Sequence, residues 1–215
     1  MQNEIKAVVF DMDGVLLDTE SMSDKTWQKA AKEFNINVTD EILNKCRGSN
    51  RSDIVAKLKN IYGKDFDAEH FLKRTGDFFQ EMEFSSGIPL MPYAKEILEY
   101  LKDRYALALA SSTTGSAVER QLTNANLISY FSKRVTGEMV EHSKPAPQIY
   151  LKACKELGIS PADCIAVEDS PNGIRSAYAA SMKVIMVPDR ISPDEEIKKL
   201  CFKILPSLKD LKGIL

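Results

Sequence analysis

Ala7-Val8-Val9-Phe10-Asp11-Met12-Asp13-Gly14-Val15-Leu16 decides how the rest of the chain is read. Its four apolar opening residues, two of them valines, predict a buried strand. The strand runs directly into two aspartates one residue apart. Alternate side chains of an extended segment point the same way, so Asp11 and Asp13 leave the strand end together, and Gly14 frees the backbone to turn. Two adjacent carboxylates repel unless a cation lies between them or one is protonated. Such a pair can divide chemical labour, one member ligating metal and acting as nucleophile, the other trading protons. A surface turn rich in Asp and Gly would use the same residues, so the neighbouring sequence has to decide.

Working outward, the stretch from about Asp18 to Ser86 is helical in pattern. Trp27, Ala30, Ala31 and Phe34 recur at helical spacing, as do Ile54, Leu58 and Ile61. Phe71, Phe78, Phe79 and Met82 predict a further helix, interrupted in composition by Gly76. These aromatic residues are expected to form a small bundle core. After Gly87-Ile88-Pro89-Leu90-Met91-Pro92, helices and strands alternate. Helices are predicted at 93–101, 115–125, 147–157, 172–180 and 194–200. Strands are predicted at 106–110, 133–136, 164–167, 184–187 and 202–205. Alternation implies a parallel sheet covered on both faces, with right-handed connections. The expected fold is therefore α/β, a Rossmann-like doubly wound sheet. Residues 1–17 and 85–215 form the core, and a helical domain, 18–84, is inserted after the first strand.

The chain has 215 residues, 44% hydrophobic content and net charge -2, with lysine and arginine dispersed. No basic patch points to nucleic acid, and no apolar run is long enough for a membrane span or a signal peptide. Cys46, Cys154, Cys164 and Cys201 form no CxxC pair, and Cys154 and Cys164 are expected to be buried free thiols. A cytoplasmic monomer without nucleic-acid or membrane partners is the expectation.

Ligands of doubly wound folds bind beyond the carboxyl ends of the strands. Here those ends carry Asp11 and Asp13, then Ser111, Ser112 and Thr113, then Glu168, Asp169 and Ser170. Lys144 lies in Ser143-Lys144-Pro145-Ala146-Pro147, just before a helix. Taken singly, the hydroxyls would be helix caps, the lysine a solvated side chain and Glu168-Asp169-Ser170-Pro171 a turn. Together they supply hard oxygen ligands for a cation such as Mg²⁺ and donors for phosphate oxygens, a set suited to phosphoryl transfer.

The sequence resembles the haloacid dehalogenase superfamily, in the subgroup of β-phosphoglucomutase and small sugar-phosphate phosphatases. The resemblance covers nearly the whole chain. It rests on 11–20 (Asp11-Met12-Asp13-Gly14-Val15-Leu16-Leu17-Asp18-Thr19-Glu20), Leu109-Ala110-Ser111-Ser112, Ser143-Lys144-Pro145-Ala146-Pro147 and Val167-Glu168-Asp169-Ser170-Pro171-Asn172-Gly173. It implies a Mg²⁺-dependent phosphomonoester hydrolase working through an aspartyl-phosphate, with a helical cap over a Rossmann-like core. Asp11 would be the nucleophile. Asp13 would protonate the leaving oxygen and then deprotonate the attacking water. Asp11, the Asp13 carbonyl and Asp169 would ligate Mg²⁺, with Glu168 ligating directly or through water. Ser111 and the Ser112 amide would hold phosphoryl oxygens, and Lys144 would neutralise charge.

For the cap, the resemblance implies closure over the site and candidate substrate contacts at Thr19, Glu20 and Arg51, the last in Gly48-Ser49-Asn50-Arg51-Ser52-Asp53. Lys73 and Arg74 are weaker candidates. Related mutases carry a histidine four residues after the hinge threonine. Ser23 holds that position here, which favours a phosphatase over a mutase. His70 and His142 fall elsewhere. A dehalogenase would need neither Asp13 nor Asp169, and a phospho-accepting signalling module would lack the helical insert and Asp13. The expected substrate is a small phosphorylated metabolite, a sugar phosphate first among them.

Overall fold

The computed structural model describes residues 4–47 and 51–215. Its central strand is β1 (Ala7–Phe10), every residue of which is withdrawn from solvent. A strand buried on both faces reads as an unbroken apolar run, which is what Ala7-Val8-Val9-Phe10 is. Around it stand β2 (Ala106–Ala110), β3 (Lys133–Val135), β4 (Cys164–Glu168), β5 (Lys183–Met186) and β6 (Lys203–Ile204). Among the described residues they form one six-stranded sheet in the order β3-β2-β1-β4-β5-β6, all neighbours parallel.

Period-two alternation sorts the β1 side chains between two layers. Ala7 and Val9 pack with Ala108, Ala110 and Ala166 against α7 (Gln148–Leu157), α8 (Pro171–Ala179) and α9 (Glu195–Leu200), which contribute Tyr150, Ile174 and Ile197. Phe10 points to the other face, where its ring meets Phe131 edge-on at 6.4 Å. The core also contains α5 (Ala94–Leu101) and α6 (Gly115–Asn124), whose Ile97, Leu98, Leu101, Val118 and Leu122 are buried.

The order of strands creates a switch point. From β1 the chain proceeds outward through β2 and β3, returns to place β4 on the other side of β1, and then runs outward again. Phe10 is level with Leu109 on one side and Val167 on the other, so the residues after these strands emerge side by side. A crevice beyond the carboxyl ends is the expected ligand position in such a sheet.

The chain divides into two compact units, residues 1–18 with 89–215, and residues 19–88. The second break falls after Ile88 rather than at 84/85 because α4 (Ala68–Ser86) runs past Phe84 before Gly87 ends it. Gly76 does not interrupt that helix. In the first unit the two crossing strands are tied together: Leu17 bridges Leu90, and Met91 N–H donates to the Leu16 carbonyl at 2.9 Å. The second unit contains α1 (Thr19–Glu33), α2 (Asp40–Cys46), α3 (Arg51–Tyr62) and α4. Its core gathers Trp27, Ala30, Leu43, Leu58, Phe71 and Phe78, with Trp27 and Phe71 edge-on at 5.3 Å. All four cysteines are free; Cys46, Cys154 and Cys164 are buried. No helix among the described residues is long and apolar enough to cross a membrane.

Candidate active site

Asp11 is the first residue beyond β1, and its N–H still donates to the Val167 carbonyl at 3.0 Å. The chain then turns sharply, with Leu16 and Leu17 N–H both donating to the Met12 carbonyl. Gly14 sits in this turn with φ +73°, a conformation L side chains avoid. A Cβ there would also overlap the Asp169 carboxylate. The glycine therefore serves both the turn and the approach of Asp169.

Lys144 lies at the centre of the site. Its Nζ donates to Asp11 Oδ1 at 2.7 Å, to Glu168 Oε1 at 2.7 Å and to the Ala110 carbonyl at 3.0 Å. The lysine side chain is only 8% exposed. Burial by itself pulls an ammonium down, but the Asp11 and Glu168 charges outweigh it and hold Lys144 firmly protonated. The same dry surroundings push the Asp11 carboxyl up to about 7; Lys144 opposes that rise, and the Glu168 and Asp13 charges add to it. Asp169 is pushed well above the usual carboxylate range by burial, then by Glu168 and Asp11.

Glu168 ends β4 and is fully buried. Oε1 accepts from Lys144 and from the Tyr150 hydroxyl at 2.8 Å. Oε2 accepts from the Asp169 and Ser170 amides at 3.1 and 3.2 Å and from the Ser170 hydroxyl at 3.1 Å. Ser170 also accepts from Gly173 N–H as the N-cap of α8. Asp11, Glu168 and Asp169 present oxygens that all lie within 4.8 Å of one another. Their mutual repulsion and hard donor chemistry fit a divalent cation. With Glu168 already engaged by protein donors, Asp11 and Asp169 carry the stronger claim to direct contact.

Asp13 is half-buried, and its Oδ2 accepts from Thr113 Oγ1 at 2.9 Å. Ser111 Oγ lies 3.4 Å from the same oxygen and accepts the Thr113 N–H at 3.1 Å. Ser111 is buried and Ser112 is exposed in the loop that follows β2. The structure thus gathers Asp11, Asp13, Ser111, Lys144, Glu168 and Asp169 at the ends of β1, β2 and β4.

Thr19, Glu20 and Arg51 belong to the helical unit. Thr19 is buried at the start of α1. Glu20 accepts from Arg47 at 3.2 Å. Arg51 opens α3, exposed and paired with Glu69 at 2.8 Å, while Gly48, Ser49 and Asn50 before it lie outside the described residues. Arg74 is occupied by Glu33 and Asp77, and Lys73 is exposed. His70 packs edge-on to Phe34, and His142 is exposed.

Tyr150, to which the sequence assigned no part in the site, lies within it, and Thr113, already among the strand-end hydroxyls, has a specific partner there in Asp13. Tyr150 falls on the buried face of α7, and Thr113 follows the paired serines. The hydroxyl run Ser111-Ser112-Thr113-Thr114 was the available signal for Thr113. Tyr150 gave none beyond the spacing of a core residue.

Residues 8–187 match the family model for haloacid dehalogenase-like hydrolases. The chain belongs to that family. Among its relatives, the phosphorylated carbohydrates phosphatase of Thermotoga maritima is 32% identical over 183 residues, 84% of each chain. The fructose-1-phosphate phosphatase of Escherichia coli is 26% identical over 187 residues, 87% of this chain and 98% of the relative. A Thermotoga maritima crystal structure, described as a candidate beta-phosphoglucomutase, superposes with TM-score 0.81 at 27% identity, covering 98% of this chain and all of the other. This haloacid dehalogenase-like hydrolase is thus an enzyme whose relatives include proteins named as phosphatases, and its Asp11–Lys144–Glu168 web lies at the switch point of the family's α/β sheet.

Proposed function

We propose that the protein is a Mg²⁺-dependent phosphomonoester hydrolase acting on a small phosphorylated metabolite, a sugar phosphate first among candidates, through an aspartyl-phosphate on Asp11. The observation that carries this reading is Lys144 Nζ, 2.7 Å from Asp11 Oδ1 in a buried acidic cluster. A carboxylate attacking a phosphate dianion must have that repulsion screened, and a buried ammonium does this without reorganising. Asp11 would attack phosphorus while Asp13 gives a proton to the leaving oxygen. A water would then attack the aspartyl-phosphate as Asp13 takes its proton, returning free Asp11 and inorganic phosphate. Ser111 and the Ser112 amide would hold phosphoryl oxygens.

Mg²⁺ would be held by Asp11, Asp169 and the Asp13 carbonyl, with Glu168 acting through water because its oxygens already accept five protein donors. When bound it would neutralise phosphoryl charge. Residues 18–84 would be the cap of the enzyme, with Thr19, Glu20 and Arg51 as its candidate substrate contacts. The free thiols support a cytoplasmic setting. Asp13 and Asp169 support phosphoryl chemistry over halide displacement, which needs neither. The mutase reading has one observation in its favour, the beta-phosphoglucomutase-like structural relative. Ser23 on α1, at the position where those mutases hold histidine, counts against it.

Steady-state phosphate release should be measured over a panel of sugar phosphates, nucleotides and other phosphorylated metabolites, with Mg²⁺ and with chelator. Release concentrated on carbohydrate phosphates and abolished by chelator is expected. Silence across the panel, with isomerisation of a sugar phosphate once a bisphosphate primer is added, would replace the hydrolase by the mutase.

Metal affinity should also depend on pH. The cation must displace protons that burial and like charge keep on Asp11 and Asp169. Apparent Mg²⁺ affinity is therefore expected to weaken as pH falls through about 7 toward 5, the window set by the raised Asp11 value. Titration calorimetry in buffers of different ionisation enthalpy should show proton release on binding. An affinity flat across that range would contradict this account of the cluster.

A further inference from the structure

We propose that Thr113 is the positioning residue for Asp13, distinct in role from Ser111; the proposal rests on the phosphoryl-transfer reading above. Both hydroxyls face Asp13 Oδ2, but not equally. Thr113 Oγ1 is at 2.9 Å, a full hydrogen bond, while Ser111 Oγ is at 3.4 Å and is drawn to the Thr113 amide, whose proton it accepts. The Ser111 hydroxyl hydrogen reaches Asp13 Oδ2 only over this longer distance, so a phosphoryl oxygen would draw it away at little cost. Thr113 is committed to Asp13.

The backbone around Thr113 is anchored on both sides. Its N–H goes to Ser111 Oγ at 3.1 Å, and its carbonyl accepts the Gly137 N–H at 3.0 Å. Gly137 approaches so closely that a Cβ on it would overlap the Ser112 carbonyl. The loop after β2 is thus clamped onto the loop after β3. A β-branched side chain on a fixed backbone has few rotamers to choose from. The Thr113 hydroxyl is consequently pre-aimed.

A carboxyl group turns about its Cβ–Cγ bond, and proton transfer requires one oxygen to face the reacting atoms. Thr113 donates to Oδ2, which assigns the transferable proton to Oδ1. In the first step the Asp11 oxygen–phosphorus bond forms, the bond to the leaving oxygen breaks, and the Oδ1 proton passes to that oxygen. In the second, water bonds to phosphorus, its proton goes to Oδ1, and the bond to Asp11 breaks. Thr113 keeps its own proton throughout.

The test compares wild type, Thr113→Val, Thr113→Ser, Asp13→Ala and the Asp13→Ala/Thr113→Val double variant. The substrates are p-nitrophenyl phosphate, whose leaving group needs no acid, and the best alkyl phosphate from the panel. Thr113→Val is nearly isosteric at a partly exposed site, so the fold should be kept; circular dichroism checks this. Losing the positioning of a general acid–base group is expected to lower kcat on the alkyl phosphate about 10- to 100-fold, with KM little changed. First-turnover nitrophenolate release should stay near the wild-type rate and be followed by slow steady-state turnover. Thr113→Ser should recover most of the loss. The double variant should be no slower than Asp13→Ala, because two residues serving one function are not additive.

Additive losses in the double variant, equal losses on both substrates in the first turnover, a KM effect without a kcat effect, or wild-type kinetics for Thr113→Val would each overturn the proposal. A wild-type protein that hydrolyses neither substrate would overturn the phosphoryl-transfer reading as well. That failure is recognisable because it precedes any substitution.

Discussion

Asp11→Asn is expected to abolish phosphate release, by on the order of 10⁴-fold or more, while leaving the protein folded. An amide cannot supply the nucleophilic oxygen, so no aspartyl-phosphate would form and no nitrophenolate would appear in a first turnover. The stability consequence has the opposite sign from most substitutions of buried polar groups. Asp11 stands among Glu168, Asp169 and Asp13, and removing its charge lessens the repulsion that pushes Asp169 up. Lys144 retains Glu168 as its partner at 2.7 Å. In chelator, the melting temperature of Asp11→Asn should match or exceed that of the wild type. Mg²⁺ should raise the wild-type value and raise the variant's less, because a ligand stabilises only as far as it binds the folded state. A variant that still turns over substrate would remove Asp11 from the nucleophile's role; one that unfolds would mean the carboxylate is needed for structure.

Lys144→Met should be damaging on both counts. It leaves Asp11 and Glu168 buried without the cation that bridges them, and breaking a buried pair by removing one partner costs about 3–5 kcal/mol. Turnover should be lost as well, because Asp11, already held near 7 with Lys144 in place, would be driven further toward its protonated, non-nucleophilic form. The pH dependence has a definite direction. A carboxyl whose folded-state pKa lies above its unfolded value binds more protons when folded, so stability is greatest at low pH and falls as pH rises through the folded value. For the metal-free wild type, the Asp11 contribution should fall between about 4 and 7. In Lys144→Met the decline should be larger and should extend to higher pH, so its deficit against wild type narrows on acidification. Urea unfolding in chelator at several pH values measures this. A deficit independent of pH would mean that lost packing, rather than unbalanced charge, dominates.

The contrast between Glu168 and Asp169 illustrates how far adjacent residues in one motif can diverge. Both stand in Val167-Glu168-Asp169-Ser170-Pro171, where the family resemblance implies Asp169 as a metal ligand and leaves Glu168 ligating directly or through water. Glu168 is the last residue of β4, points into the layer beneath α7 and α8, and has both oxygens occupied. Asp169 lies beyond the strand, beside the glycine turn of β1, with its carboxyl burdened by like charges. A step of one residue along a strand end reverses the direction of the side chain, and here it separates a carboxylate whose oxygens are taken up by protein donors from one that faces the other acids of the cluster.

The amino-acid sequence by itself determined the parallel α/β core, the helical stretch inserted after the first strand, and the placing of Asp11, Asp13, Ser111, Lys144, Glu168 and Asp169 at strand ends and loops. These were legible because hydrophobic period, turn chemistry and motif spacing are local properties of the chain. Tertiary structure alone decided which of these groups touch. Lys144 meets Asp11 across 133 residues of chain. Tyr150, which reads as an ordinary core residue, sends its hydroxyl to Glu168, and Thr113 rather than Ser111 takes hold of Asp13. The true end of α4, at Ser86, likewise depended on where Gly87 turns the backbone. Side-chain directions and partner distances follow from strand register and from the packing of helices onto the sheet, which short-range patterns do not encode.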